Sequence, residues 1–160
     1  MFLRNKYHLI KCFFYLFFVF ILFSCDRTKV YDNYKKIEGA KWAISDFKKF
    51  DVEVTDTLSL QKFYFNVRHT GEYKYSNLYL FITTSFPDNK RARDTAQLIL
   101  SDKEGRWLGT GTGNIKNMRL LFKKGFRFTS KGVYSFTIEH GMRDQFLQGI
   151  TDIGIRIEKQ

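Results

Sequence analysis

Phe50-Asp51-Val52-Glu53-Val54 decides the fold class. Apolar side chains alternate with carboxylates at a period of two, so an extended chain puts one kind on each face. A helix would spread the same residues around its axis. Asp51 and Glu53 therefore fall on the solvent face of a strand. Phe63, Phe65 and Val67 repeat the pattern before a turn at Thr70-Gly71. Tyr134, Phe136 and Ile138 repeat it again, and so do Ile153, Ile155 and Ile157. Leu78 to Ile82 is apolar on both parities, which predicts a central strand. Pro87-Asp88-Asn89 ends it as a turn. Thr95 to Leu100 reads as a further strand and Asp102 to Gly105 as a turn. Met118 to Phe122 and Phe126 to Phe128 read as two short strands around a Lys123-Lys124-Gly125 turn. Ser130-Lys131-Gly132 is another turn, and Gln145 to Gly149 has room for one helical turn or a loop. About eight short strands with no sustained helical period predict an all-β chain, closed as a sandwich or a barrel. A single antiparallel β-sandwich, jelly-roll or immunoglobulin-like, is the expected architecture.

The amino terminus has another character. Cys12 to Phe23 is an uncharged run of aromatic and aliphatic residues behind Arg4, Lys6 and Lys11, and it ends in Leu22-Phe23-Ser24-Cys25. A basic start, an apolar run and a small residue at a cutting point make a secretory signal peptide. The cysteine after the cut gives it the form of a bacterial lipoprotein signal. Leu22 and Ser24 fit the lipobox, whereas Phe23 is bulkier than that position usually holds. Cys25 is the expected lipid attachment site. A transmembrane reading fails on length, because a helix of this run spans ~18 Å against a ~30 Å hydrocarbon core. Cleavage without lipidation is the other reading. Residues 1–24 are thus assigned to a lipoprotein signal peptide and 25–41 to a lipidated amino terminus and tether. Residues 42–160 are assigned to the sandwich. The tether reading rests on the polar run from Asp26 to Lys36, in which Tyr31 and Tyr34 are the only large rings.

Three of the 27 basic residues lie in the signal, which leaves 24 against 16 acidic residues from Cys25 onward, a net +8. Such a surface suits anionic lipid, anionic polysaccharide or an acidic protein; export argues against nucleic acid. Cys12 goes with the signal and Cys25 takes the lipid. The domain keeps no thiol for a disulfide, a nucleophile or a cysteine zinc site. A domain of this length can fold on its core alone.

No catalytic constellation emerges. Gly109, Gly111 and Gly113 are spaced G-x-G-x-G, but no Lys-Ser/Thr pair follows at the phosphate-loop spacing. Glycines beside Trp107 instead suit a bulged strand or wide loop where backbone packs close to the indole. His69 and His140 have no metal-ligand spacing to each other or to a carboxylate and read as satisfied or exposed. Asp102 and Glu104 fit a turn. No G-x-S-x-G elbow activates a serine. The expectation is a non-enzyme with no cofactor, no metal and no small-molecule substrate. Tyr73, Tyr75 and Tyr79 share one parity, which leaves open a stacking platform for sugars, although rings of this kind also fill sheet cores.

Several segments together resemble the gliding motility-associated lipoprotein GldH family. They are Ser24-Cys25 with Val30-Tyr31-Asp32-Asn33-Tyr34, Phe65-Asn66-Val67-Arg68, and Tyr75-Ser76-Asn77-Leu78-Tyr79-Leu80. Gly105-Arg106-Trp107-Leu108-Gly109 and Gly149-Ile150-Thr151-Asp152-Ile153-Gly154-Ile155-Arg156-Ile157-Glu158-Lys159 complete the set. The resemblance implies a non-catalytic accessory or scaffold lipoprotein of gliding motility and the linked type IX secretion machinery, with envelope proteins as partners. A carbohydrate-binding envelope lipoprotein is the alternative. In gliding bacteria and their relatives, surface display of lipoproteins is linked to an acidic signal after the acylated cysteine. Here Asp26-Arg27-Thr28-Lys29 holds one acid and two bases. This implies a lipid-anchored domain on the outer membrane facing the periplasm, with retention at the inner membrane through Asp26 left open.

Overall fold

The computed structural model describes residues 28–111 and 113–160. Ten strands follow in order: β1 Lys29–Lys36, β2 Lys41–Ala43, β3 Lys48–Val54, β4 Gln61–Thr70, β5 Asn77–Ser85, β6 Arg91–Ile99, β7 Ile115–Phe126, β8 Gly132–His140, β9 Phe146–Gln148 and β10 Ile150–Lys159. One sheet has the order β1-β10-β4-β7, and the second β3-β8-β5-β6. All pairings are antiparallel. The chain crosses between the sheets after nearly every strand, and its first and last strands are neighbours. This double Greek-key winding is a jelly roll, which decides between the two expected sandwich topologies.

The alternating residues supply the core. Phe50, Val52 and Val54 from β3, Phe63, Phe65 and Val67 from β4, and Ile153, Ile155 and Ile157 from β10 are all buried, while Asp51 and Glu53 are exposed. The two sheets meet through edge-to-face rings such as Phe63 and Phe136, 5.2 Å apart. The short β2-β9 pair stoppers one end. There Trp42 is fully buried and its indole N–H donates to the Asp46 carbonyl at 2.6 Å.

Four expectations change. The segment read as a tether is strand β1 from Lys29 onward, paired along its length with β10, and the Lys159 N–H donates to the Thr28 carbonyl. Its apolar period is weak because it is an edge strand that packs only Tyr31 on the core. Backbone pairing rather than side-chain burial holds it. The turn expected at Lys123-Lys124-Gly125 is absorbed into β7 as irregular register with β4, where Tyr64 faces Leu121 but Phe63 faces Lys123. Gly125, at φ +68°, takes the backbone conformation that such a bulge needs. Residues 146–148 are strand β9 rather than a helical turn. Finally, β5 is central as expected but buries Leu78, Leu80 and Ile82 on one face only; Tyr79 is partly exposed.

Antiparallel pairing sorts the connections between two ends. The near end holds the start of β1 at Lys29, the 55–60 and 86–90 loops, and the 123–131 bend. The far end holds the β2-β9 pair, the glycine segment 105–113 and the 70–76 turn.

Candidate interaction site on the outer face of the β1-β10-β4-β7 sheet

The outward positions of this sheet form aligned rows. Asp32, Arg156, Tyr64 and Leu121 make one row; Tyr34, Gly154, Asn66 and Arg119 make the next; Asp152, Arg68 and Asn117 continue in the third. An ordinary solvent face would leave such residues hydrated. Here Asn66 is fully buried and Arg156 is 7% exposed. The Arg156 guanidinium donates to Asp32 at 2.8 Å and to Glu158 at 2.9 Å. Asn66 joins two strands at once: its amide donates to Asp32 at 3.0 Å, and its carbonyl accepts from Arg119 at 3.2 Å. Arg68 donates to Asn117 at 2.8 Å and stacks on the Tyr34 ring at 4.3 Å. A Cβ on Gly154 would lie 2.5 Å from the Asn33 carbonyl and 3.0 Å from the Tyr34 ring. The bare backbone there lets the Tyr34 ring settle across it, as aromatic neighbours do over sheet glycines.

Burial of Glu158 opposes its ionisation, but hydrogen bonds from Arg156 and Tyr64 outweigh that and hold its carboxyl below the usual range. Each buried charge on the face meets an opposite charge, so the network is rigid and internally satisfied. Arg68 and Arg119 stay half-exposed at its margin. Their guanidinium groups present planar donor edges suited to carboxylates of a partner. The arrangement offers recognition rather than proton transfer.

The site draws its members from three of the segments that carried the resemblance: Asp32 and Tyr34, Asn66 and Arg68, and Asp152, Gly154, Arg156 and Glu158. They are far apart in the chain. β10 lies between β1 and β4 and brings them together. Sequence reasoning missed them as a group, although all occupy the polar parity of predicted or actual strands.

Other residues singled out from the sequence are placed as follows. Cys25, with the signal peptide, lies outside the described residues. Asp102 does cap a turn, accepting from the Glu104 and Arg106 N–H groups and pairing with Arg106 at 2.7 Å. His69 and His140 are buried, not exposed, and Nε2 of His69 and both ring nitrogens of His140 lack a well-formed hydrogen bond. Burial pushes both imidazoles below their ordinary pKa. Trp107 is half-buried and meets His69 edge-on at 4.5 Å. The close approach that the glycine segment needs is to β7 rather than to the indole. A Cβ on Gly109 would lie 2.8 Å from Met118 Cγ, and one on Gly111 would lie 2.4 Å from the Ile115 carbonyl. Tyr73 is buried with its hydroxyl on the Asn77 carbonyl, and burial raises its pKa strongly. Tyr75 donates to Asp144 at 2.9 Å, and Tyr79 is partly exposed. The three rings therefore do not form one flat platform. Among the described residues no group of three His, Cys, Asp or Glu side chains is placed to hold a metal ion.

The GldH lipoprotein family model matches residues 29–157. Its first matched residue is the first residue of β1. A protein from Christiangramia forsetii described as a gliding motility lipoprotein GldH homolog is 34% identical, with 92% of this chain and 94% of that protein covered. The gliding motility lipoprotein GldH of Flavobacterium johnsoniae is 31% identical, with 88% and 91% covered. Among solved structures, a chain of infectious bursal disease virus, Gx strain, aligns over 82% of this chain and 38% of its own length at 10% identity, with a TM-score of 0.22. On its sequence relatives, this chain belongs to the GldH lipoprotein family.

Proposed function

We propose that this chain is a lipid-anchored, non-catalytic interaction subunit of the gliding machinery and of the type IX secretion apparatus linked to it. The observation that carries the reading is the outer-face network, where separate segments shared with the family resemblance build one rigid polar plate. Arg68 and Arg119 at its margin are the contact residues for an acidic surface on an envelope protein. Cys25 holds the domain to the outer membrane, facing the periplasm. Only residues 26–28 separate Cys25 from β1, a reach of ~10 Å, so the near end of the sandwich lies against the membrane. Lys29, Lys62 and Lys124 share one row with Glu158 at that end, and Lys131 lies at the same end before β8. Each lysine is worth ~1 kcal/mol beside an anionic leaflet. Leu58, 83% exposed, projects from the same end.

The test is affinity capture from cells in mild detergent, with the wild type beside Arg68→Glu/Arg119→Glu. The variant is expected to remain folded by far-UV circular dichroism, at a melting temperature lowered by loss of the Arg119–Asn66 and Arg68–Asn117 bonds, and to lose the envelope proteins captured by the wild type. Capture of the same proteins by both would refute the contact face. A Cys25→Ser protein that still partitions into detergent at the wild-type mature mass would refute the anchor.

A further inference from the structure

The sandwich is not closed at the near end of its β6-β7 side. Ala92 and Asp94 share the inward parity of buried Ala96 and Leu98, yet both are exposed. No residue of β7 covers them. Between the two edge strands lies a hollow of about 380 Å³ lined chiefly by rings, among them Phe86, Phe122, Phe126, Phe128 and Phe136. That volume falls within the ~300–1,000 Å³ of small-molecule sites. Core phenylalanines left around an open hollow forfeit both hydrophobic burial and packing contacts.

The mouth has its own chemistry. The irregular register of β7 sets Lys123 opposite the inward-facing Phe63, so this lysine lies on the wall of the hollow instead of the outer face. Re-aiming one side chain is a common use of a bulge. Arg127 stands on the same wall and reaches the Leu58 carbonyl at 2.8 Å. Asp94 faces them from β6 and forms no ion pair among the described residues; neither does Lys123. Two cations against one carboxylate leave the mouth positive. An apolar interior below a positive mouth is complementary to an amphiphile with an anionic head.

We propose that this hollow binds one acyl chain with an anionic head, the chain among the phenylalanines and the head at Lys123 and Arg127. The location rests on the anchored orientation proposed above, because the hollow opens at the end that Cys25 holds against the membrane. A phospholipid of that membrane and a free fatty acid share the required chemistry.

The mature lipoprotein is reconstituted in phosphatidylcholine nanodiscs with one of three photoactivatable probes: a phosphatidylglycerol, palmitic acid or the uncharged palmityl alcohol. Crosslinked peptides are read by mass spectrometry. Expected are adducts on residues 82–94 and 120–136 with the anionic probes, about tenfold fewer with the alcohol, and loss of labelling in Ala92→Trp, which fills the hollow from an exposed position. Lys123→Glu is expected to lower labelling by about tenfold, and melting curves check that both variants fold. Labelling by the phosphatidylglycerol assigns the membrane lipid as the source, whereas labelling by the acid alone assigns a free fatty acid. Adducts absent from these segments, or unchanged in Ala92→Trp, overturn the site. Equal labelling by the alcohol overturns the anionic head. The same spectra give the mass of the amino-terminal lipopeptide, so failure of the anchor reading is seen separately from failure of the hollow.

Discussion

Replacing Arg156 by methionine keeps a long side chain and removes the charge at the centre of the outer-face network. The guanidinium satisfies both Asp32 and Glu158, and all three side chains are largely buried, the arginine at 8% exposure and its partners at 20% and 17%. Removing one member of a buried ion pair costs ~3–5 kcal/mol, because the remaining charges keep their desolvation penalty without its compensation. The partners retain some water, which places the expected loss at the lower limit, ~3 kcal/mol. For a domain of this size that is ~10 °C in melting temperature. Differential scanning calorimetry at pH 7 measures it. The triple variant Asp32→Asn/Arg156→Met/Glu158→Gln should recover at least half of the loss, since no charge is then stranded. Acid supplies a second check. The wild type has a Glu158 pKa below its unfolded value, so that contribution is complete above ~4.3 and is lost as pH falls through the folded pKa. In Arg156→Met the stranded Glu158 carboxylate gains a proton more readily when folded, so the variant's deficit relative to wild type narrows as pH drops from 7 to 4. A melting temperature within ~3 °C of wild type, or a triple variant no more stable than the single one, refutes the network as a structural element.

Other outcomes follow from the same geometry. A chain starting at Trp42 lacks β1, exposes the edge of β10 and deprives Arg156 of Asp32; gel filtration and far-UV circular dichroism should show aggregation or loose structure, whereas a chain starting at Lys29 folds. His69 and His140 have folded pKa values pushed down by burial, so their contribution is complete above the unfolded value of ~6.5 and falls as pH drops below it; urea titrations should find lower stability at pH 5.5 than at pH 7.5, and a flat profile refutes neutral burial. Gly154→Ala forces a Cβ to within 2.5 Å of the Asn33 carbonyl and should cost ~1–3 kcal/mol by overpacking the β1-β10 pair, read as a lower urea midpoint. Trp107→Ala should cost ~2 kcal/mol, about half the value for a fully buried Trp, and should flatten the acid response by hydrating His69; an unchanged melting temperature would show that the indole lends no stability.

Period-two alternation at Phe50-Val54, Phe63-Val67, Tyr134-Ile138 and Ile153-Ile157 was enough to identify strands and their buried faces, because each strand writes its own burial into adjacent residues. The turns at Pro87-Asp88-Asn89 and Asp102 to Gly105 were legible for the same local reason, as Asx side chains and positive-φ residues act within a few positions. β1 was not legible. Its eight residues bury little, and its partner β10 lies more than a hundred positions away. The β7 bulges resemble a turn in the sequence, because lysines and a glycine serve either purpose until β4 supplies a register. The candidate interaction site was visible only as scattered polar residues. Asp32, Asn66 and Arg156 become one network because β10 runs between β1 and β4. The phenylalanine hollow is likewise a tertiary property, since nothing local to Ala92 or Phe122 states that β6 and β7 leave a space between them. The sequence by itself determined which segments extend, which faces are apolar and which family the segments resemble. Tertiary structure alone decided which strands are neighbours, because backbone pairing is indifferent to side-chain identity and its partners are chosen by the packing of the whole core.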